Sequence, residues 1–489
     1  MDDDLTTAPS PSSTDTPTTA TSDFGLDAES KHLSDAMRDY VARVRSGEVG
    51  SLPGIAAFLG LCLMFSLSRD SFLTNINMAN LLQQAAWLIL LAMGVTFVLL
   101  LGEIDLSIGA TMGVTVAYVY TQTNSGVATW LSIVLSAVVG GALGLAIARQ
   151  SLKSGVERTQ ALVVGLSIGG VVFAALATVA PNTMMAVILG MVVGSAMGLF
   201  AGVLVARVGI PSFVVTLALF LAWQGWLQKI AKEGGSISVQ DEFLVAIGTK
   251  SMSPALGWVM FAVVVLGFLG FSLNQRRGRV AKGASAQSVD VILAKAAALA
   301  VLWGFATYQL NQNRAFANAR KPLEGVPYVV PVILVITVAA TFMLNRTAWG
   351  RHLYAVGGNA EAARRAGISV ANIKMSAFAV AGFLASIAGI IYASRVGSVT
   401  PQTGAGSELL LAVGAAVVGG TSLFGGKGKV VNAVVGGLVL AVIENGLGLF
   451  QKLFGTDVDA GFKLIAAATV LLIAGSIDAL TRRGGNPSR

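Results

Sequence analysis

The chain has 489 residues, 54% of them hydrophobic and 12% charged, with a formal net charge of +8 and a mean hydropathy of +0.74. Soluble domains carry about 25% charged residues, so the composition excludes a soluble globular protein and indicates an all-α polytopic membrane protein. The positive charge does not point to nucleic acid, because Lys and Arg fall mainly in loops between apolar runs, as the positive-inside rule expects of cytoplasmic loops.

In chain order, residues 1–30 are acidic and rich in Ser, Thr and Pro, with almost nothing to bury, which predicts a disordered tail. The tail lacks a basic start followed by an apolar core, so it does not read as a secretory signal. Segment 31–50 differs. Leu33, Met37, Tyr40, Val41 and Val44 recur at helical spacing, with Lys31, Arg38, Arg43 and Arg45 among the polar positions. That pattern predicts an amphipathic helix lying on membrane lipid. Residues 51–481 form the transmembrane domain. Crossing the hydrocarbon takes about 20 apolar residues, and candidate segments run over 55–68, 81–101, 106–120, 130–148, 160–180, 184–206, 213–230, 256–273, 291–310, 328–344, 374–394, 408–424, 430–450 and 462–480. About 12–14 transmembrane or re-entrant helices follow, with broken pieces expected around 102–105 and 419–426.

Alternating sides from a cytoplasmic N-terminus puts the basic clusters 149–158, 276–282, 346–365, 427–429 and 482–483 inside. The sparser or mixed loops 121–129, 231–255, 311–327 and 395–407 fall outside. The stretch 311–321, with Arg314, Arg320 and Lys321, fits this scheme least well. Both termini, including the tail 482–489, are then cytoplasmic. Cys62 is the single cysteine, and His32 and His352 have no metal-ligand company. No intrachain disulfide, metal centre or cofactor is expected.

Polar breaks interrupt the apolar runs. In GEIDLSIG at 102–109, Glu103 and Asp105 stand between long apolar segments, where carboxylates are expensive and face a cavity, a partner or the interface. They either cap the helix beginning near Leu106 or line and brace a translocation pathway, and no basic partner is evident within the long spans. At GIPS, 209–212, the chain must break and restart, since Pro suits a first helical turn and not an interior. Trp223, Gln224 and Trp226 follow; aromatic faces beside an amide suit a sugar ring, while Trp is equally a membrane-interface residue. GGTSLFGGKGK at 419–429 fails as a phosphate-binding loop. Thr421 stands where the first Gly is needed, and Gly428 follows Lys427 where Ser or Thr is needed. Glu444 and Asn445 interrupt 430–450 and read as interhelical hydrogen-bond formers or pathway residues.

The polar island WGRHLYAVGGNAEAARRAGI at 349–368 carries nearly every local signal of one short helix. Asn359 is the N-cap. Glu361 lies in the first turn and Arg364 and Arg365 in the last, complementing the helix dipole. Glu361 and Arg365 are spaced i,i+4, and Gly367 supplies the stop. Two turns are marginal alone, because isolated helices need roughly 12–15 residues. The signals suit a helix that stays formed while docked on another protein, or an ordinary well-capped loop helix.

GEIDLSIG, GRHLYAVGGNAEAARRAGI and VGGTSLFGGKGKV, in this order and spacing, resemble the signatures of permease subunits of bacterial ABC-type sugar importers, in the branch serving ribose, xylose and arabinose. The similarity runs from about residue 52 to 478. PSFVVTLALFLAWQG at 211–225 is most similar to the longer xylose-type permeases, and the extra length fits 276–327. The resemblance implies a transport subunit of the bacterial inner membrane, without a nucleotide site of its own, that carries a pentose such as D-xylose. It further implies a cytoplasmic ABC ATPase (separate subunits or a tandem), an extracytoplasmic sugar-binding protein and a second permease copy. Gly357, Gly358, Asn359, Ala363 and Gly367 match the family's coupling motif, so 345–373 becomes the coupling loop, with Glu361, Arg364 and Arg365 on its helix. Glu103, Asp105, Trp223, Gln224 and Asn445 are the pathway candidates. Gly102-Glu103 stands where the branch usually has Gly-Gly or Ser-Gly. The alternatives are an ion-coupled secondary transporter and an ABC permease for a nucleoside, an autoinducer or a branched-chain amino acid.

Overall fold

The computed structural model describes residues 52–125, 181–232, 235–283, 286–315, 322–453 and 456–484. The N-terminal tail, the surface helix at 31–45 and the spans at 130–148 and 160–180 lie outside the described residues. Among the described residues the chain is all-α: α1 Leu52–Ser68, α2 Asn75–Leu99, α3 Ile108–Ser125, α4 Pro181–Val203, α5 Ser212–Ala231, α6 Glu242–Thr249, α7 Pro254–Val280, α8 Val289–Asn311, α9 Val329–Arg346, α10 Ala348–Gly358, α11 Ala360–Arg365, α12 Val370–Val396, α13 Ser407–Val418, α14 Val430–Gly448 and α15 Ala460–Gly484. Among the described residues, eight helices are long and apolar enough to cross a membrane.

Local chemistry moves two boundaries from their expected places. The Thr74 side chain accepts from the Asn77 amide and caps α2, so the helix begins six residues before the apolar run does. Its first turns therefore carry Asn77, Asn80, Gln83 and Gln84. At the other extreme α13 stops at Val418, where Gly419 and Gly420 follow and Gly420 takes φ +102°, a conformation open to glycine and costly for other residues. The rest of the expected span at 408–424 is an irregular turn. The break at 209–212 forms as the sequence requires. After α4 a π-helical turn over Leu204–Val208 ends at Gly209 with φ +85°, and α5 restarts after Pro211.

Helix α2 packs between α12 and α14 at the centre, with α13 against α2 and α14, and α4 and α3 against α12. Small residues set the spacing. A Cβ on Gly382 of α12 would lie 2.0 Å from the Gly194 carbonyl oxygen of α4, and the Ser386 hydroxyl donates to the Gly190 carbonyl across the same seam, 3.1 Å. Without a water-driven hydrophobic effect between spans, such close packing and hydrogen bonding hold membrane helices together. The hairpin of α7 and α8 sits at the periphery. Only 6% of the most apolar window of α7 is buried, against 83% for α2.

Loops that the alternation scheme assigns to one side meet one another. Ile237–Ser238 pairs antiparallel with Ser398–Val399, Ser251 bridges to Pro327, and Asn124 donates to the Ser238 carbonyl, 3.0 Å. At the opposite end Arg346 donates to Gln275, 3.0 Å, and Arg207 to Asn372, 3.1 Å. The ill-fitting Arg314 has a structural explanation. Its guanidinium is buried and donates to Ser251 Oγ at 3.0 Å, to the Gly325 carbonyl at 2.9 Å and to the Leu310 carbonyl. It clasps its own loop and presents no free charge to the solvent.

Candidate functional site

Three segments that are distant in sequence converge at the basic end of the molecule, and they are the three glycine-bearing motifs of the sequence. The first is α10, which the sequence reading left undivided within the polar island. Thr347 Oγ1 caps it by accepting from Gly350 N, 3.1 Å. Trp349 Nε1 donates to Ser376 Oγ on α12, 2.7 Å, and the ring lies 5.9 Å from that of Phe97 at the end of α2. Tyr354 OH donates to the Gly428 carbonyl, 2.8 Å; burial raises the phenol's pKa, so it stays a donor.

At the end of α10 the three backbones interleave. A Cβ on Gly357 would fall 1.7 Å from the Leu100 carbonyl oxygen. That oxygen accepts from Gly426 N, 2.9 Å, and a Cβ on Gly425 would lie 2.8 Å from both Gly102 N and the Gly357 carbonyl. Side chains at these positions have no room. By contrast, a Cβ on Gly358 would meet nothing within 4 Å.

Helix α11 projects from this platform. Asn359 Oδ1 accepts from Ala362 N, 2.9 Å. Glu361 pairs with Arg364 at 3.0 Å and with Arg365 at 3.4 Å, and all three are exposed. Gly367, at φ +81°, donates to the Arg364 carbonyl, and Ile368 N to that of Ala363, each at 3.0 Å, which satisfies the last orphan carbonyls of the helix. Ala363 is buried, 4% exposed. One face of α11 is thus seated on the protein, and the charged face is free.

Glu103 has a partner after all. Its carboxylate forms an ion pair with Lys374 in the first turns of α12, at the edge of a span, where a search within the apolar runs does not look. Asp105 accepts from Ser107 N at 2.8 Å and Ser107 Oγ at 2.6 Å, just ahead of α3. Between them, Ile104 N donates to Ser212 Oγ, 3.3 Å, and its carbonyl accepts from Thr216, 3.2 Å. The 103–107 turn therefore ties α3, α5 and α12 together beside the platform.

At the opposite ends of α2, α12 and α14 lies a polar cavity of about 530 Å³. Asn445 is central to its wall. It accepts from Asn77 Nδ2 at 2.8 Å and donates to Gln84 Oε1 at 3.1 Å. Arg395, also on the wall, donates to Gln83 Oε1, 2.8 Å. Tyr392 OH donates to Glu408 Oε1, 3.1 Å, and its ring meets that of Trp87 edge to face at 5.3 Å.

Among the pathway candidates, only Asn445 lines this cavity. Glu103 and Asp105 lie at the platform end. Trp223 and Gln224 sit on α5, which contributes nothing to the wall; Trp223 packs against the core with its Nε1 buried and unpartnered, and Trp226 is 59% exposed. The residues missed in sequence carried a signal. Asn77, Asn80, Gln84 and Trp87 are spaced 3, 4 and 3 apart, one face of a helix, but polar side chains at a span's start look like loop. Nothing local marks Tyr392 or Arg395.

Comparisons with known proteins identify the family. The family model described as "Branched-chain amino acid transport system / permease component" matches residues 77–164 and 159–474. The xylose transport system permease protein XylH of Escherichia coli K12 is 32% identical over 430 residues, 88% of this chain and 91% of that protein. Its namesake in Haemophilus influenzae is 30% identical, covering 88% and 96%. The ribose import permease protein RbsC of Escherichia coli K12 is 27% identical, covering 87% and 92%. No solved structure matches the chain. The chain is a multi-pass membrane protein and belongs to this family of transport-system permease components.

Proposed function

We propose that the chain is the membrane permease of an ATP-driven importer in a bacterial inner membrane, and that it translocates a pentose such as D-xylose. The relatives named above are xylose and ribose permeases, which favours a sugar over the branched-chain amino acid in the family's description. One observation carries the coupling: α11 is a six-residue helix whose residue Ala363 is seated while Glu361, Arg364 and Arg365 stay exposed, on a base built from three glycine-bearing segments. Such a helix is too short to persist unsupported, and here its free face is available to a partner.

On this reading the platform end is cytoplasmic, and a separate ABC ATPase grips α11. A second permease copy completes the pore, and an extracytoplasmic binding protein delivers the sugar at the cavity end. ATP binding closes the ATPase pair and moves α11; Gly357 passes that motion to the ends of α2 and α14, and Glu103–Lys374 braces α12 against the 103–107 turn. The driving force is the difference in nucleotide and binding-protein affinity between the two states of the pore. Asn445 is the pathway residue on the cavity. The ion pair with Lys374 occupies Glu103, one of the two carboxylates, Glu103 and Asp105, that could carry the coupling ion of a secondary transporter, which weighs against that alternative.

The test is to recover the chain from its native membrane beside a Glu361→Lys/Arg365→Glu variant. The expected result is an ATPase co-purifying with the wild type and lost from the variant, with D-xylose uptake that depends on ATP. Stable insertion with no ATPase in either sample, and uptake following an ion gradient, overturns the proposal.

A further inference from the structure

We infer that the polar cavity is a sugar-accepting site of the permease itself, one that holds a neutral monosaccharide between its release by the delivering protein and its passage inward. This rests on the importer reading above and adds a ligand site to it. The volume of about 530 Å³ lies in the range of small-molecule sites. Four amides, Asn77, Asn80, Gln84 and Asn445, line it. Each amide offers an acceptor and donors, so neighbouring amides match the mixed donor and acceptor character of adjacent hydroxyls. Trp87 and Tyr392 add aromatic surface for the C–H edges of a pyranose ring.

The charges on the wall argue for a neutral ligand. The wall carries two cations, Arg395 and Lys463, and one carboxylate, Glu444, and Glu408 behind Tyr392 supplies the fourth charge, so across the wall and its backing the charges balance. Arg395 and Tyr392 already spend hydrogen bonds on Gln83 and Glu408. The Asn77–Asn445–Gln84 chain is an open one, running from the Asn77 amide to Asn445 and from Asn445 to Gln84, so its end groups and Asn80 on the wall are placed to exchange hydrogen bonds with a sugar hydroxyl. Three of the four helices that build the wall, α2, α12 and α14, have their other ends at or beside the platform, with Lys463 of α15 completing it, so closure at the platform can reshape it.

The single native cysteine makes the test clean. Asn80→Cys is placed on the wall in a Cys62→Ser background, and its folding is read from a thermal melt of the detergent-solubilised variant beside the wild type. It is then labelled in sealed right-side-out vesicles with a membrane-impermeant thiol reagent. Labelling is expected without sugar, and D-xylose at about 100 mM, enough to fill a millimolar site, slows it about fivefold or more, whereas mannitol at equal osmolarity does not. No labelling in the absence of sugar overturns the proposal, since the cavity is then closed to the outside. Equal slowing by both solutes, slowing by neither, or protection by L-leucine in place of xylose overturns it too. Labelling needs no nucleotide, so this site and the ATP-driven reading fail separately.

Discussion

The two ends of the central helices are held by different chemistry. At the platform, α10, the 100–102 turn and the 425–428 turn meet through backbone carbonyls and amides at glycines with no space for a Cβ. At the cavity, the same α2, α12 and α14 meet through amides, an arginine and a pair of aromatic rings around a space of about 530 Å³. Backbone packing of the first kind has one arrangement, because close-packed interiors do not deform continuously. Side-chain networks of the second kind have several rotamer states within reach. The contrast assigns transmission to one end and recognition to the other.

The sharpest way to break that contrast is Gly357→Val. Its side chain must enter the space of the Leu100 carbonyl, and overpacking of this kind costs about 3 kcal/mol or more where the obstacle is backbone. The detergent-solubilised variant is expected to unfold far below the wild type in a thermal melt. Gly358→Ala, one residue on and in open space, should change stability by less than about 0.5 kcal/mol. Equal behaviour of the two would show that the interleaved backbone is not what fixes the platform.

Next in size is the Glu103–Lys374 pair. Its side chains are 16% and 21% exposed, so water screens it in part, and removing one partner costs less than the 3–5 kcal/mol of a fully buried pair, about 2 kcal/mol. Glu103→Gln and Lys374→Met should each destabilise and slow uptake. The swap Glu103→Lys with Lys374→Glu should recover at least about half of the loss in a double-mutant cycle. Absence of recovery would mean that each side chain acts through packing alone.

Smaller still is Asn359→Ala, which removes the acceptor for Ala362 N and costs about 1 kcal/mol of local helix stability. Global melting should hardly move. Hydrogen exchange across 360–366 should quicken, and Asn359→Asp, which keeps the acceptor, should restore slow exchange.

The sequence was legible where signals are local. Asn359, Glu361, Arg365 and Gly367 mark α11 because capping, dipole and i,i+4 spacing all act within a few residues. Gly209 and Pro211 announced their break for the same reason. What stayed hidden depends on contacts between segments hundreds of residues apart. Lys374 is an unremarkable basic residue at a span's edge until Glu103 is beside it. Asn77 and Gln84 look like loop until Asn445 satisfies them. Hydropathy is also blind to the neighbour. Helices α2 and α7 score 1.8 and 2.3, yet protein covers the first and leaves most of the second bare.

The smallest effect on stability is expected at Glu361, and it discriminates best. Both of its ion pairs are exposed, and exposed pairs contribute little to folding, so Glu361→Ala should melt with the wild type. If the charged face of α11 is the docking surface, the same variant should lose most of its co-purifying ATPase at moderate salt and more as salt screens the remaining arginines. Melting point and ATPase recovery falling together would make Glu361 a brace for the helix. Neither falling would move the contact to another face of the coupling loop, and the platform's exposed helix would then need a different partner.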